Sequence, residues 1–428
     1  MKVLWFSLSP CNSIKRDNST RIIQGWMISL ENEIKKCNDI QLEVAYFTDK
    51  DESPFIFENV KYYPMNKNIF NQHCKVSRLM ERYVSIAKKD QKATRTMLDI
   101  IKKSHPDIIH IHGTEESFGL IYEYIKNIPI VFSIQGLIAP LKEKFFSGIP
   151  QQQAYKYDFM LDRLKGFGIR KQYKSFCYRA EREKCYLSHA QYIFGRTFWD
   201  KDCTLGLNPQ RKYYIVNEIL RPEFYTKQWK GFISKDKIKL VSTISGGIYK
   251  GFETLLKTAS LLKRHSNLNF EWHIAGYRPD SKWVKISEKT TQIYSKECNI
   301  VFHGGLDATE LSNLLCNSDI YVQVSHIENS PNSVCEAMLL GMPIIASYAG
   351  GTATILKHEE EGILYQDGDS YVLSGAIIEM INNPVAAKQY AKNAHNKAII
   401  RHDKIQIKNN IIHYYEQIIN DYKISHSL

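Results

Sequence analysis

Two series of short apolar runs, each alternating with stretches of helical periodicity, set the terms for this 428-residue chain. The first series reads KVLWFSL (2–8), LEVAYF (42–47), DIIHIHG (107–113), PIVFSIQG (129–136), YIFGRT (192–197) and YYIVN (213–217). The second begins after residue 230 with IKLVSTIS (238–245) and continues through FEWHIAG (270–276), NIVFHGG (299–305), DIYVQVS (319–325), PIIASYAG (343–350) and GILYQ (362–366). Between them lie segments such as 22–34 and 253–264, whose apolar residues recur at helical spacing. This is the strand–helix–strand grammar of an open parallel sheet, written twice. It confines the chain to the α/β class, as two Rossmann-like, doubly wound domains.

The series divide the chain into an N-terminal domain over 1–225 and a C-terminal domain over 226–404. The join falls near EILRPEFYTKQWKGF (218–232), where Pro222 and a polar, aromatic stretch interrupt the pattern. The tail, 405–428, places Ile411, Tyr415, Ile418, Ile419 and Tyr422 on one helical face, which predicts a helix that crosses back to the N-terminal domain. In sheets of this kind ligands sit at the carboxyl ends of the strands. Two such sheets facing a central cleft would let two substrates meet.

Composition narrows the function classes. Nine scattered cysteines without a CxxC pair argue against a disulfide framework and a zinc site, and Cys335 reads as a buried small hydrophobe. No stretch approaches the length of apolar chain that spans a bilayer, and MKVLWFSLSPCN reads as a first strand rather than a signal peptide. A cytoplasmic protein is expected, in which the Asn18-Ser19-Thr20 sequon carries no weight. A net charge of +12 suits nucleic acid, an anionic membrane face or a phosphate-bearing substrate. Residues 163–184 hold eight Lys/Arg against two Glu, with Phe167, Tyr173, Phe176 and Tyr178 between them. That run reads either as a solvated helix face or as a surface that docks on anionic lipid. No nucleic-acid motif accompanies it, so nucleic acid is not expected as a partner.

The chemistry concentrates in HIENSPNSVCEAM (326–338). Strand 319–325 delivers Glu328 at its carboxyl end, and Ser330-Pro331 reads as a serine cap followed by proline at the first helical position. Amides at Pro331's successors Asn332, Ser333 and Val334 are then left to bind a phosphate. Glu336, about one turn inside the helix, is placed to accept hydrogen bonds from a ribose diol. Glu328 lies beyond the phosphate. In GGIYKGF (246–252), Gly246 lets the backbone approach a ligand and Lys250 brings a positive charge to a diphosphate. A third glycine turn, AGGT (349–352), follows strand 343–348.

These residues make the chain resemble the family 4 retaining glycosyltransferases, nucleotide-sugar-dependent enzymes of the two-domain GT-B fold. The resemblance rests on the Glu328/Glu336 pair with EAMLLGMPIIAS, Lys250-Gly251, Gly276 in HIAG, FHGGL (302–306), Gly350-Gly351 and GILYQDGD, over about 235–375. It is weaker in the N-terminal half, through MKVL, Gly25, DIIHIHG and PIVFSIQGL. GRTFWD and NEILRPEFY resemble a subgroup that makes bacterial surface polysaccharides. By that resemblance Glu336 would hold the donor ribose, Glu328 the sugar hydroxyls near the reacting carbon, and Lys250 the departing diphosphate. Gly304 and Gly305 would lie beside the base, and Gly25 under the donor phosphate. The implied reaction moves a sugar from a nucleoside diphosphate, UDP for preference, to a hydroxyl of a glycan or lipid-linked glycan, with no metal or other cofactor.

Two positions depart from the family. Ser245 stands where an arginine is frequent, so Arg196 is a candidate for the second cation. Gln135 stands where many members carry histidine on the acceptor side, and His112, at the end of strand 107–111, is a nearby alternative for catalysis. His110 is read as out of phase with it and packed in the sheet. A nucleotide-sugar epimerase and a catalytically inactive nucleotide-sugar-binding partner are the rival readings.

Overall fold

A computed structural model describes residues 1–17, 25–70, 74–232 and 236–426; the Asn18 sequon lies outside them. The chain divides into two compact units. Unit 1 comprises Met1–Pro140, Ser175–Ile219 and Asp403–Leu428, and unit 2 comprises Leu141–Lys174 and Leu220–His402.

Unit 1 is built on one sheet of strands β1 (Lys2–Ser7), β2 (Gln41–Thr48), β3 (Phe55–Phe57), β4 (Val60–Asn66), β5 (Ile108–His112), β6 (Ile130–Ser133), β7 (Tyr192–Gly195) and β8 (Lys212–Ile215). Their order is β3-β4-β2-β1-β5-β6-β7-β8, and only the edge strand β3 runs antiparallel to its neighbour. β3 and β4 are additions to the expected strands. Pro64 within β4 argues against a strand, because it cannot donate to the ladder. The hairpin is made instead by Glu58 and Asn59, which both take positive φ (47° and 65°), the pair of left-handed residues that a tight two-residue turn requires.

β1 is buried on both faces: Val3 and Trp5 join one core cluster, Leu4 and Phe6 the other. The helix Lys404–His426 covers the Trp5 face with Ile407, Ile411, Tyr415, Ile418 and Tyr422. Trp5 Nε1 donates to Tyr415 Oη at 3.1 Å, and Tyr422 Oη donates to the Lys126 carbonyl at 2.7 Å. Each fully buried aliphatic side chain on that face contributes about 1.5–3 kcal/mol, which is the physical reason its spacing could be read from sequence.

Unit 2 holds a fully parallel sheet of β9 (Ile238–Ile244), β10 (Phe270–Gly276), β11 (Ile300–Gly304), β12 (Ile320–Gln323), β13 (Ile344–Ser347) and β14 (Ile363–Tyr365), in the order β11-β10-β9-β12-β13-β14. Residues 141–174 pack here rather than with the strands that precede them: Lys282 Nζ lies 2.6 Å from Asp158 Oδ1, and the ring of Phe145 meets that of Tyr249. They form short helices without an apolar strand run, so the strand pattern carries no signal of where they attach.

In both sheets the chain reverses its winding once, between β1 and β5 in unit 1 and between β9 and β12 in unit 2. A reversal of this kind opens a crevice at the strand carboxyl ends. No disulfide joins any of the cysteines among the described residues. Among the described residues, no helix is long and apolar enough to cross a membrane.

Candidate functional site

The reversal in unit 2 brings together the two turns that the sequence singled out. β9 leads into Gly246 and then a 3-10 turn ending at Lys250, while β12 leads into His326-Ile327-Glu328. The turns are pinned by the His326 amide, which donates to the Tyr249 carbonyl at 2.8 Å. Gly251, at φ +75°, starts the helix Phe252–His265 so close to β12 that a Cβ there would stand 1.8 Å from the Val324 carbonyl oxygen. Lys250 Nζ donates to Glu328 Oε1 at 2.6 Å. Burial pushes the Lys250 ammonium's pKa down, Glu328 pushes it up, and the balance is upward.

Glu336 lies on the helix Asn332–Leu340 and is buried. Its two carboxylate oxygens accept from Arg221 Nε and a terminal Arg221 nitrogen, both at 2.7 Å. A fork of this kind is among the stronger charge-assisted contacts. The helix opens one residue later than expected: Pro331 is the N-cap residue, with no side-chain capping bond, and Asn332 is first. Ser330 precedes the N-cap position and is buried beside Arg401, whose guanidinium donates to its hydroxyl at 3.4 Å. Asn332 Oδ1 is buried without a hydrogen-bond partner, Ser333 is half-buried, and Val334 and Cys335 are fully buried. An uncapped first turn with an unsatisfied amide oxygen suits a polar ligand.

Glu328 is also fixed from behind. Gly351 N donates to the Glu328 carbonyl at 2.9 Å, and Gly350, at φ +54°, leaves no room for a Cβ, which would stand 2.0 Å from that same oxygen. Gly246 has φ +99° and open space above it. Gly304 ends β11 at φ +68° beneath the Arg278 side chain, and Gly305 beside it is exposed.

Beside the turns lies a charged cluster. His326 Nε2 lies 2.6 Å from Glu253 Oε1, and Nδ1 lies 2.6 Å from Asp367 Oδ1. Burial pulls the imidazole pKa down, but bonds to Asp367 and Glu253 outweigh it, and the value is pushed up to about 9. His326 is therefore a buried imidazolium between two acids. Gly148, from the 141–174 segment, packs onto it so closely that a Cβ would stand 2.5 Å from His326 Nε2.

Unit 1 holds the remaining candidates. His112 ends β5 at the reversal, buried, with neither ring nitrogen hydrogen-bonded. Burial, then His110 and Arg196, hold its pKa well below the usual imidazole range, so it is neutral. His110 is not out of phase with it. Residues two apart share a sheet face, and the rings lie 3.7 Å apart. His110 is the structural member, 2.6 Å from Ser133 Oγ and bonded to Tyr415. Gln135 is half-buried and flanks Gly113 together with Glu115, whose Oε2 is buried and unpaired. Arg196 is buried with its guanidinium 4.5 Å above Trp26 and its Nε 3.5 Å from Glu218. Gly25 opens the helix Gly25–Ile34.

The basic run 163–184 is not one surface. Arg182 is buried on Asp90 at 3.0 Å, and Arg179 donates to the Glu115 carbonyl, whereas residues up to Lys174 belong with unit 2.

Arg221, Glu253, His326, Asp367 and Glu115 went unread in the sequence. Arg221 sits in the quoted RPEFY and His326 opens HIENS, but their partners lie 115, 73 and 41 positions away. Only the fold brings them together.

Residues 224–397 match the family model described as "Glycosyl transferases group 1". The chain is 30% identical over 184 residues to Protein CapJ of Staphylococcus aureus, covering 41% of this chain and 44% of that one. It is 23% identical over 219 residues to the N,N'-diacetylbacillosaminyl-diphospho-undecaprenol alpha-1,3-N-acetylgalactosaminyltransferase of Campylobacter jejuni, covering 51% and 54%. It thus spans about half the length of these curated relatives. Among solved structures, the sucrose-phosphate synthase of Thermosynechococcus elongatus superposes with a TM-score of 0.72 at 15% identity, over 98% of this chain and all of that one. HepE of Anabaena, in complex with UDP and glucose, superposes with a TM-score of 0.63 at 17% identity, over 97% and 99%. The fold is GT-B.

Proposed function

We propose that this protein is a retaining glycosyltransferase, moving a sugar from a nucleoside diphosphate to a hydroxyl of a glycan or lipid-linked glycan in polysaccharide biosynthesis. The observation that carries the reading is the Lys250–Glu328 contact at the β9/β12 reversal. It joins an ammonium and a carboxylate beside the uncapped start of the helix that carries Glu336. Lys250 and the amides at Asn332 and Ser333 would neutralise the negative charge that develops on a departing diphosphate. Glu328 would exchange its ammonium partner for hydroxyls of the donor sugar. Glu336, held by the Arg221 fork, would accept from the ribose diol. Charge neutralisation by these groups leaves no step that calls for a metal ion. UDP is the preferred nucleotide, a choice supported by the solved HepE complex. On the acceptor side, Gln135 and neutral His112 would contact the incoming hydroxyl.

A thermal-shift titration with UDP and UDP-glucose tests the donor half. Binding to the native state raises stability by about 2.7 kcal/mol at a hundredfold excess over Kd. The wild type should be stabilised, and Glu336→Ala should not. Release of free sugar from UDP-glucose alone would separate transfer chemistry from epimerisation. A wild type indifferent to every nucleoside diphosphate would sink the reading.

A further inference from the structure

The helix Met160–Leu164 buries none of its own residues. Met160, Leu161 and Leu164 are 74, 66 and 67% exposed, and Phe167 just beyond is 51% exposed. Single exposed apolar side chains are ordinary, but four within eight residues form a patch, and patches mark interaction sites. Cations flank this one along the chain. Residues 155–174 hold Lys156, Arg163, Lys165, Arg170, Lys171 and Lys174 against Asp158 and Asp162. Both acids are already met by Lys282, at 2.6 and 3.2 Å. Next to the patch is a cavity of about 480 Å³ whose walls include Tyr155, Arg163, Arg170, Lys171 and Lys174 and one acid, Asp158, with the Arg170 guanidinium 4.8 Å above the Tyr155 ring.

We propose that residues 155–174 are a docking face for a bilayer carrying anionic phospholipid, with the apolar tip entering the headgroup boundary and the cationic cavity taking a headgroup phosphate. The combination selects this occupant. An apolar tip in the same short segment as a cation-rich cavity matches the headgroup boundary, where hydrocarbon and phosphate lie a few ångströms apart. A nucleic acid would use the cations and leave Met160, Leu161 and Leu164 in water. An acidic soluble protein would use the cations and need a matching apolar groove. The face supplies an address for the lipid-linked acceptor proposed above, and in that purpose it rests on that reading; its test does not.

The full-length chain is sedimented with vesicles of phosphatidylcholine alone and of phosphatidylcholine in which one lipid in three is phosphatidylglycerol. Binding to the second alone is expected, falling as salt rises. Arg170→Ser with Lys174→Ser should weaken it about thirtyfold, from roughly 1 kcal/mol per cation. Leu161→Ser with Leu164→Ser should weaken it about tenfold or more. Both pairs are exposed or lie at the cavity rim, and unchanged melting temperatures would show that the fold is intact. Equal binding to both vesicles, no binding to either, or variants that bind as the wild type does would overturn the proposal. A chain that binds anionic vesicles but shows no shift with UDP would retain the docking face and lose the donor reading.

Discussion

Lys250 Nζ sits 2.6 Å from Glu328 Oε1, across 78 residues of chain and at the one reversal of the unit 2 sheet. Side-chain exposures of 24 and 18% put the pair at the edge of solvent, where an ion pair adds little to stability, about 1 kcal/mol or less. Its proposed role against a departing diphosphate is larger, since one donor on a developing charge accounts for about 100- to 1,000-fold in rate. Lys250→Ala should therefore lose turnover of UDP-sugar by that factor while melting close to the wild type. Initial rates alongside urea unfolding check this; a rate loss matched by unfolding would refute it.

What was legible in the sequence follows from what is periodic or local. Buried strands announce themselves as apolar runs, and the tail helix shows its Ile411–Tyr415–Ile418 face, since both follow from short-range geometry. Glu328, Glu336 and Lys250 were legible because glycine and proline turns mark strand ends. β4 hid behind Pro64, and residues 141–174 gave no hint of their attachment to unit 2. The partners of Glu336 and His326 were illegible for a different reason: an ion pair leaves no pattern in a sequence unless its members lie within a turn of each other.

Arg221 and Glu336 form the bidentate fork, and the carboxylate is only 3% exposed. Breaking a buried pair of this kind by removing one member costs about 3–5 kcal/mol. Arg221→Ala should show that loss in urea unfolding, and Arg221→Lys a smaller one, because a point charge replaces the fork. The double variant Arg221→Met with Glu336→Gln should recover most of the stability without recovering the UDP-induced shift. Equal shifts in the double variant and the wild type would remove Glu336 from the donor site.

His326 makes stability depend on pH. Its pKa is about 9 in the fold, against about 6.5 for an unperturbed imidazole. A raised value means that the folded state holds the proton more tightly, so the contribution is complete below about pH 6.5 and is lost as pH rises through about 9. The groups facing the ring are Glu253 and Asp367, with Lys144 4.0 Å from the latter. Two and a half pH units correspond to roughly 3 kcal/mol. Urea unfolding at a series of pH values should show that decline in the wild type and a flatter profile in His326→Gln. Parallel profiles would mean that other groups set the pH dependence.

Gly350 tests whether Glu328 is held by backbone packing. The residue takes φ +54°, and a Cβ would stand 2.0 Å from the Glu328 carbonyl oxygen, a backbone atom that cannot swing aside as a side chain would. Gly231, at φ +88° with nothing within 4 Å, supplies the comparison, because alanine there meets the left-handed backbone alone. That strain costs roughly 1–2 kcal/mol. Gly350→Ala should cost more than Gly231→Ala by about 1–3 kcal/mol, the usual range for forcing an atom into packed surroundings. It should also reduce UDP-sugar turnover, since the clash displaces the segment that presents Glu328 to Lys250, whereas the UDP-induced thermal shift, which depends on Glu336 and the helix start, should largely persist. Equal costs for the two alanines in urea unfolding would mean that Glu328 is free to move, and the turn at 349–352 would then have no part in placing it.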